Sequence, residues 1–376
     1  MTAARSPVDA VVIGAGIVGA ACAEALARDG RRVLVLEQGV QGGGATGAAM
    51  GHLVAMDDSP AQLALTAYSL RRWRDVRDAL PRDVERLDCG TLWLAECEDE
   101  LEAVRAKGAV YAAAGVRAEV LDGDALASAE PELREGLAGA LLVPDDCVVY
   151  PPAAARWLLR EASALGAEVR EGVAARAVRP NTVDTTEGPV RCDTVVVAAG
   201  CGARSLVPEL PVVPKKGHLV VTDRYPGLCR HQLVELGYLA SAHASERSSV
   251  AFNLQPRPSG QLLIGSSRQL AGFDAAIDRG IVGAMIARAV EFVPLLAAVH
   301  ALRVWTGFRP ATADSLPLIG AWPARDGVWI AAGHEGLGIT TALGTAYLLA
   351  DLIAGRATDI DPTPYAPDRT IASAHA

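Results

Sequence analysis

The sequence predicts a mixed α/β fold in which a parallel-sheet domain is interrupted by an antiparallel one. Three observations carry this: a βαβ unit near the N-terminus, a long middle region of short strands, and a strand, glycine loop and helix at the far end. With 376 residues, 51% of them hydrophobic, the chain can bury a large core, in one domain or two interleaved ones.

From Asp9 the chain reads DAVVIGAGIVGAACAEALARDGRRVLVLEQ. Ala10 to Ile13 is short, apolar and β-branched, as a buried parallel strand requires. Helix formers from Ala20 to Ala27 are closed by Gly30, and Arg32 to Leu36 make a second strand ending on Glu37. Glycines from Gly42 to Gly51 then argue against a regular element and permit close backbone approach to a ligand. Ser59, Pro60 and Gln62 read as N-cap, first-turn proline and capping-box residue of a helix whose apolar face is Leu63, Ala67, Leu70, Trp73, Val76 and Leu80.

Strands near Thr91 to Leu94 and Val116 to Leu121 flank a helix over Glu98 to Ala114, and a further helix spans Pro152 to Leu165 with Gly166 past its end. A hairpin around Gly188-Pro189 leads into a buried strand, Thr194 to Ala199. Strands dominate from Gly217 to Ser267, with a turn over Pro256 to Gly260, and a helix follows near Ile281 to Phe292. The strand VWIAAG, the loop HEGLG and an apolar helix, Ile339 to Ala354, stopped by Gly355, complete the pattern; prolines after Asp359 predict an exposed tail.

A formal net charge of -9, with both signs mixed along the chain, argues against a nucleic-acid footprint. Seven cysteines without a C-x-x-C pair suit a reducing cytoplasm, and the apolar runs fall short of the ~20 residues of a membrane-spanning helix. The histidines form no H-x-x-x-H or H-E-x-x-H pattern, so no metal site is expected, and no G-x-S-x-G elbow offers an acyl-transfer nucleophile. Asp57-Asp58 and Asp145-Asp146 read as loop acids.

Chemistry concentrates at the two ends. Gly14-x-Gly16-x-x-Gly19 lies between strand and helix, where the glycines allow a tight turn, approach of a pyrophosphate and close helix packing. Glu37 stands about twenty residues on, placed to accept hydrogen bonds from ribose hydroxyls. Small residues at Ala199, Gly200 and from Gly333 to Gly344 permit close approach again, and a helix N-terminus near Gly338 to Thr340 could stabilise negative charge on a reduced flavin ring; an ordinary turn is the alternative.

These segments, with GGGATGAAMGHL, FRPATADSLPLIG and AAGHEGLGITTALGTAYLLADLI, resemble the FAD-dependent D-amino acid oxidase family, which includes glycine oxidase, sarcosine oxidase and D-amino acid dehydrogenases. The resemblance runs in order over nearly the whole chain and is greatest to flavoprotein dehydrogenases of D-hydroxyproline and related imino acids. It implies a Rossmann-like FAD-binding domain (1–85, 145–210 and 303–370) interleaved with an antiparallel-sheet substrate-binding domain (86–144 and 211–302), and a tail over 371–376. It further implies oxidation of a D- or cyclic amino acid by hydride transfer to flavin N5, giving an imine, with oxygen, a quinone or a partner subunit as electron acceptor.

The resemblance assigns FAD binding to Gly14, Gly16, Ile17, Val18, Gly19, Glu37, Gln38, Ala45, Thr46, Met50, Gly51, Val173, Ala199, Gly200, Gly336, Leu337, Gly338, Ile339 and Thr340. No cysteine follows Cys229, so the flavin is expected to be noncovalent. Arg309 matches the family's carboxylate clamp, a planar fork that fixes distance and rotation together; a structural salt bridge is the alternative. His52 is a candidate for contact with substrate amine or flavin, and Tyr238, Asn253, Gln255 and Arg268 are candidate pocket liners, core packing being the competing reading for each. Lys215-Lys216-Gly217-His218 marks the entry to the second domain. Two rivals remain: a flavin-carrying subunit of a heteromeric imino-acid or opine dehydrogenase with little activity alone, and a glycine or sarcosine oxidase; the assembly is left open between homo- and hetero-oligomer. An NAD-dependent dehydrogenase is a third reading, opposed by the C-terminal glycine loop.

Overall fold

The computed structural model describes residues 8–237 and 248–371; Tyr238 lies outside the described residues. The first sheet runs, in spatial order, Leu318–Ala321, Val328–Ala332, Gly188–Val197, Val8–Ile13, Val33–Glu37 and Glu168–Glu171. All neighbours pair in parallel except the first two, with Val12 opposite Val35 on one side and Val196 on the other. Central strands covered on both faces have no solvated side, which is why Ala10 to Ile13 and Val33 to Leu36 are uniformly apolar.

Helices Ile17–Arg28, Pro151–Ala164 and Gly338–Ala354 pack together on one face of this sheet. The first of them is buried almost all round, and its run of alanines lets both neighbours approach. Although Glu335–Ala354 is as long and apolar as a membrane span, most of it is buried in this core.

The second sheet runs Ala301–Ala311, Val213–Arg224, Gln261–Gln269, Ser248–Pro256, Gln232–Glu235, Thr91–Ala95, Gly139–Val143 and Glu119–Asp122. It is antiparallel except where Gln232–Glu235 pairs in parallel with Thr91–Ala95. Helix Arg279–Phe292 closes one face, its Phe292 ring stacked on Phe252 at 4.5 Å. The segment 303–311, expected with the first domain, is part of a strand of this second sheet, so Arg309 enters the site opposite Lys215.

Four local expectations are corrected. Thr185 pairs with Gly188, so the hairpin turns at Thr186-Glu187 and Gly188-Pro189 already belong to the strand. Residues 116–118 precede the strand, which begins at Glu119. The glycine-rich segment holds one helical turn, Gly44–Ala48. The segment after Asp359 returns to the protein: Tyr365 is buried and its hydroxyl donates to Ala61 O at 2.5 Å. At the capping box, Ser59 Oγ accepts from Gln62 N as expected, while the Gln62 side chain reaches one residue further, to Asp58 N.

Candidate active site

A cavity of about 780 Å³ opens where the strand ends of the first sheet meet the second. Its size suits a cofactor or ligand site. On the first-sheet side it is lined by Gly14, Gly16, Ile17, Val18, Glu37, Gln38, Ala45, Thr46, Met50, Gly51, Val173, Ala199, Gly200, Gly336, Gly338 and Ile339, with His52, Asn253 and Arg309 further along. Gly19 stands behind: a Cβ there would collide with Gly14 O, so its role is helix-on-strand packing. Thr340 is also out of the cavity, fully buried, its hydroxyl donating to His52 O and accepting from Val54 N.

The turn at Gly14 has φ +107, and a Cβ on it would lie 2.6 Å from Ala198 O. A bare backbone there keeps the helix start open. Thr46 Oγ1 accepts from Ile17 N at 3.0 Å and so ties the glycine-rich segment to the helix N-terminus. Glu37 is fixed by Ala15 N at 2.8 Å and Gly39 N at 2.7 Å while still lining the cavity. The last long helix also begins at the cavity wall, at Gly338 and Ile339.

Arg309 rises from Ala301–Ala311 over Gly217 of the neighbouring strand. A Cβ at Gly217 would lie 2.9 Å from Cζ and from Nη2 of Arg309, so glycine is what lets the guanidinium lie flat there. Arg309 Nη1 donates to Ser267 O at 2.9 Å, fixing one edge of the fork.

Glu335, which the sequence reading passed over, sits in the HEGLG loop with φ +45. Lys215 Nζ is 3.2 Å from its Oε1 and Arg268 Nε is 3.5 Å away. Burial alone would raise its pKa, but Arg268, Lys215 and Arg309 together hold it down at about 2. Three cations thus act on this one carboxylate. His52 is driven the other way, to about 4, by burial and then by Arg309, so it is neutral at physiological pH.

A smaller chamber of about 40 Å³ adjoins the cavity, sharing His52, Asn253, Glu335 and Gly336 with it. Leu337 and Arg268, both expected at the site, line this chamber and not the main cavity; Trp93 and Gln232 line it too, without any sequence signal. Gln255 lines neither space; its amide donates to Met50 O at 2.9 Å and supports the segment beside the cavity. Cys201 lines the cavity, its thiol pushed up to about 11 by burial.

The glycine turn and the charged wall face one cavity, and the chain belongs to the family of FAD dependent oxidoreductases, whose model matches residues 9–352. It is 31% identical to a glycine oxidase of Pseudomonas aeruginosa, over 95% of this chain and 98% of that protein. It is 32% identical to a D-amino acid dehydrogenase of Chromohalobacter salexigens, over 77% of this chain and 70% of the other. The crystal structure of glycine oxidase from Geobacillus kaustophilus superposes with a TM-score of 0.87 at 28% identity, covering 97% of this chain and all of that one. The protein is an FAD-dependent enzyme that oxidises amino acids.

Proposed function

We propose that this enzyme oxidises the carbon–nitrogen bond of a small amino or imino acid whose carboxylate is held by Arg309. The observation that carries the reading is the guanidinium laid over Gly217, anchored on Ser267 O and facing the cavity. When bound, FAD supplies the acceptor for the hydride leaving the substrate carbon. The residues present fit that group: the glycine turn at Gly14 and Gly16, Thr46, Glu37, Val173 and the helix start at Gly338 would hold it. Cys201 stays a thiol at ordinary pH, which supports noncovalent binding.

Arg309 binds the carboxylate through two parallel hydrogen bonds and so fixes the Cα–H direction. A guanidinium holding the carboxylate favours the uncharged amine, whose lone pair is needed to form the imine. Neutral His52 is a hydrogen-bond partner for that amine, not the base that deprotonates it. Buried apolar walls at Met50 and Leu219 limit water beside the reacting carbon.

The relatives' names support a small substrate of the glycine or D-amino acid kind; a D-hydroxyproline-like imino acid rests on the sequence resemblance. We further assign the sheets to an FAD-binding and a substrate-binding domain, and place the enzyme, with seven free cysteines, in a reducing compartment such as the cytoplasm. The test is product analysis with glycine, sarcosine and D-amino acids under air and with an artificial dye. Oxo acid formed under air with oxygen uptake makes it an oxidase, and product only with dye makes it a dehydrogenase. Absence of product with every amino acid would overturn the assignment.

A further inference from the structure

The small chamber beside Arg309 holds an unusual concentration of unsatisfied polar atoms. Trp93 Nε1, Gln232 Oε1 and Asn253 Oδ1 are buried there without a hydrogen-bond partner among the described residues. Trp93, Gln232 and Asn253 are 1%, 2% and 3% exposed, so solvent does not reach them. Buried polar groups are nearly always paired, and a cluster of exceptions on one small space marks a place where something else completes the bonding.

What completes it follows from donor and acceptor character and from size. The chamber shares His52, Asn253, Glu335 and Gly336 with the main cavity, and Arg309 is bonded to Ser267, the residue preceding chamber-lining Arg268. A carboxylate there would meet two acceptors, Gln232 Oε1 and Asn253 Oδ1, and an ammonium could not accept from Trp93 Nε1–H; a group that both donates and accepts fits all three. About 40 Å³ admits a hydroxyl with its carbon and little more.

We propose that this chamber is a specificity site for a hydroxyl group carried by the substrate, a few bonds from its carboxylate, with Trp93, Gln232 and Asn253 as its partners. The inference rests on Arg309 holding the carboxylate as proposed above. A site built to bond a hydroxyl discriminates strongly against the analogue that lacks it, because its own buried groups are then left unpaired.

The experiment compares pairs that differ by one hydroxyl: D-proline with the two 4-hydroxy-D-prolines, D-alanine with D-serine, and the L-forms of each. Anaerobic flavin reduction gives the rate for each, and the dependence of that rate on amino acid concentration separates an apparent binding constant from the limiting rate. At least one hydroxylated member is expected to exceed its partner in kcat/KM by about ten- to a hundredfold. In Gln232→Leu and Asn253→Ala that ratio falls towards one, in rate and in binding. Flavin content of each variant confirms that it has folded, and either variant suffices.

Ratios near one for every pair in the wild type overturn the chamber assignment while leaving amino acid oxidation standing. A high ratio that both folded variants retain overturns the assignment of these side chains. Failure of every amino acid to reduce the flavin overturns the functional reading itself, and the chamber proposal with it.

Discussion

Gly217→Ala isolates the clamp from the rest of the protein. The added Cβ would lie 2.9 Å from Arg309 Cζ and Nη2. Favourable carbon contacts lie near ~3.5–4.0 Å, so the guanidinium has to retreat by about 1 Å. The backbone at Gly217 is ordinary strand and needs no positive φ, and the atoms displaced belong to the far end of a flexible side chain. Stability and flavin content should therefore change little. A misplacement of about 1 Å in a positioning group costs on the order of a hundredfold in rate. The assay is anaerobic stopped-flow reduction of the bound flavin by an active amino acid, with kcat and KM from steady state alongside. We expect kcat/KM to fall about a hundredfold at unchanged flavin absorbance. A folded, flavin-loaded variant with wild-type kcat/KM would refute the reasoning that Gly217 exists to seat Arg309.

Three further outcomes follow from the geometry. Gly14→Ala, with φ +107 and Ala198 O at 2.6 Å from the new Cβ, should cost about 1–3 kcal/mol and most of the bound flavin; unchanged denaturant midpoint and absorbance would contradict it. Asp146 is buried, and burial lifts its pKa from 3.8 to about 8, so its native proton stabilises the fold below pH 3.8 and that contribution is lost as pH rises towards 8. Asp146→Asn should then gain on the wild type by up to about 1.4 kcal/mol per pH unit across that window, and a difference in melting temperature that does not vary with pH would sink the claim. Tyr365→Phe should cost about 1 kcal/mol through the lost bond to Ala61 O. Tyr365→Ala should cost about 3–5 kcal/mol, measured by urea unfolding; a neutral alanine would show that the tail does not hold the core.

The βαβ unit was legible because its signals are local: β-branched runs, the spacing of Gly14, Gly16 and Gly19, and an acid at the second strand's end. Arg309 was legible through its flanking motif. Glu335 was not, because its environment is assembled from Lys215, Arg268 and Arg309 on three strands that the chain brings together only in the second sheet. A charged residue inside a glycine loop was the one available hint. The chamber was hidden for a similar reason: Trp93 and Gln232 meet through a parallel pairing between strands distant in sequence. That 303–311 pairs within the second sheet was not legible, because alternation marks a strand but not the sheet it joins. The tail read as exposed from its prolines, whereas one aromatic ring, Tyr365, decides its position by burial.

The most direct test of the account is anaerobic reduction of the bound flavin by amino acids in wild type, Arg309→Lys and Arg309→Ala. The account predicts bleaching by at least one small amino acid in the wild type. It also predicts that KM rises by about a hundredfold or more in both variants, lysine failing because a point charge cannot replace the fork. Bleaching with wild-type KM in Arg309→Ala, or a flavin that no amino acid reduces, would contradict it.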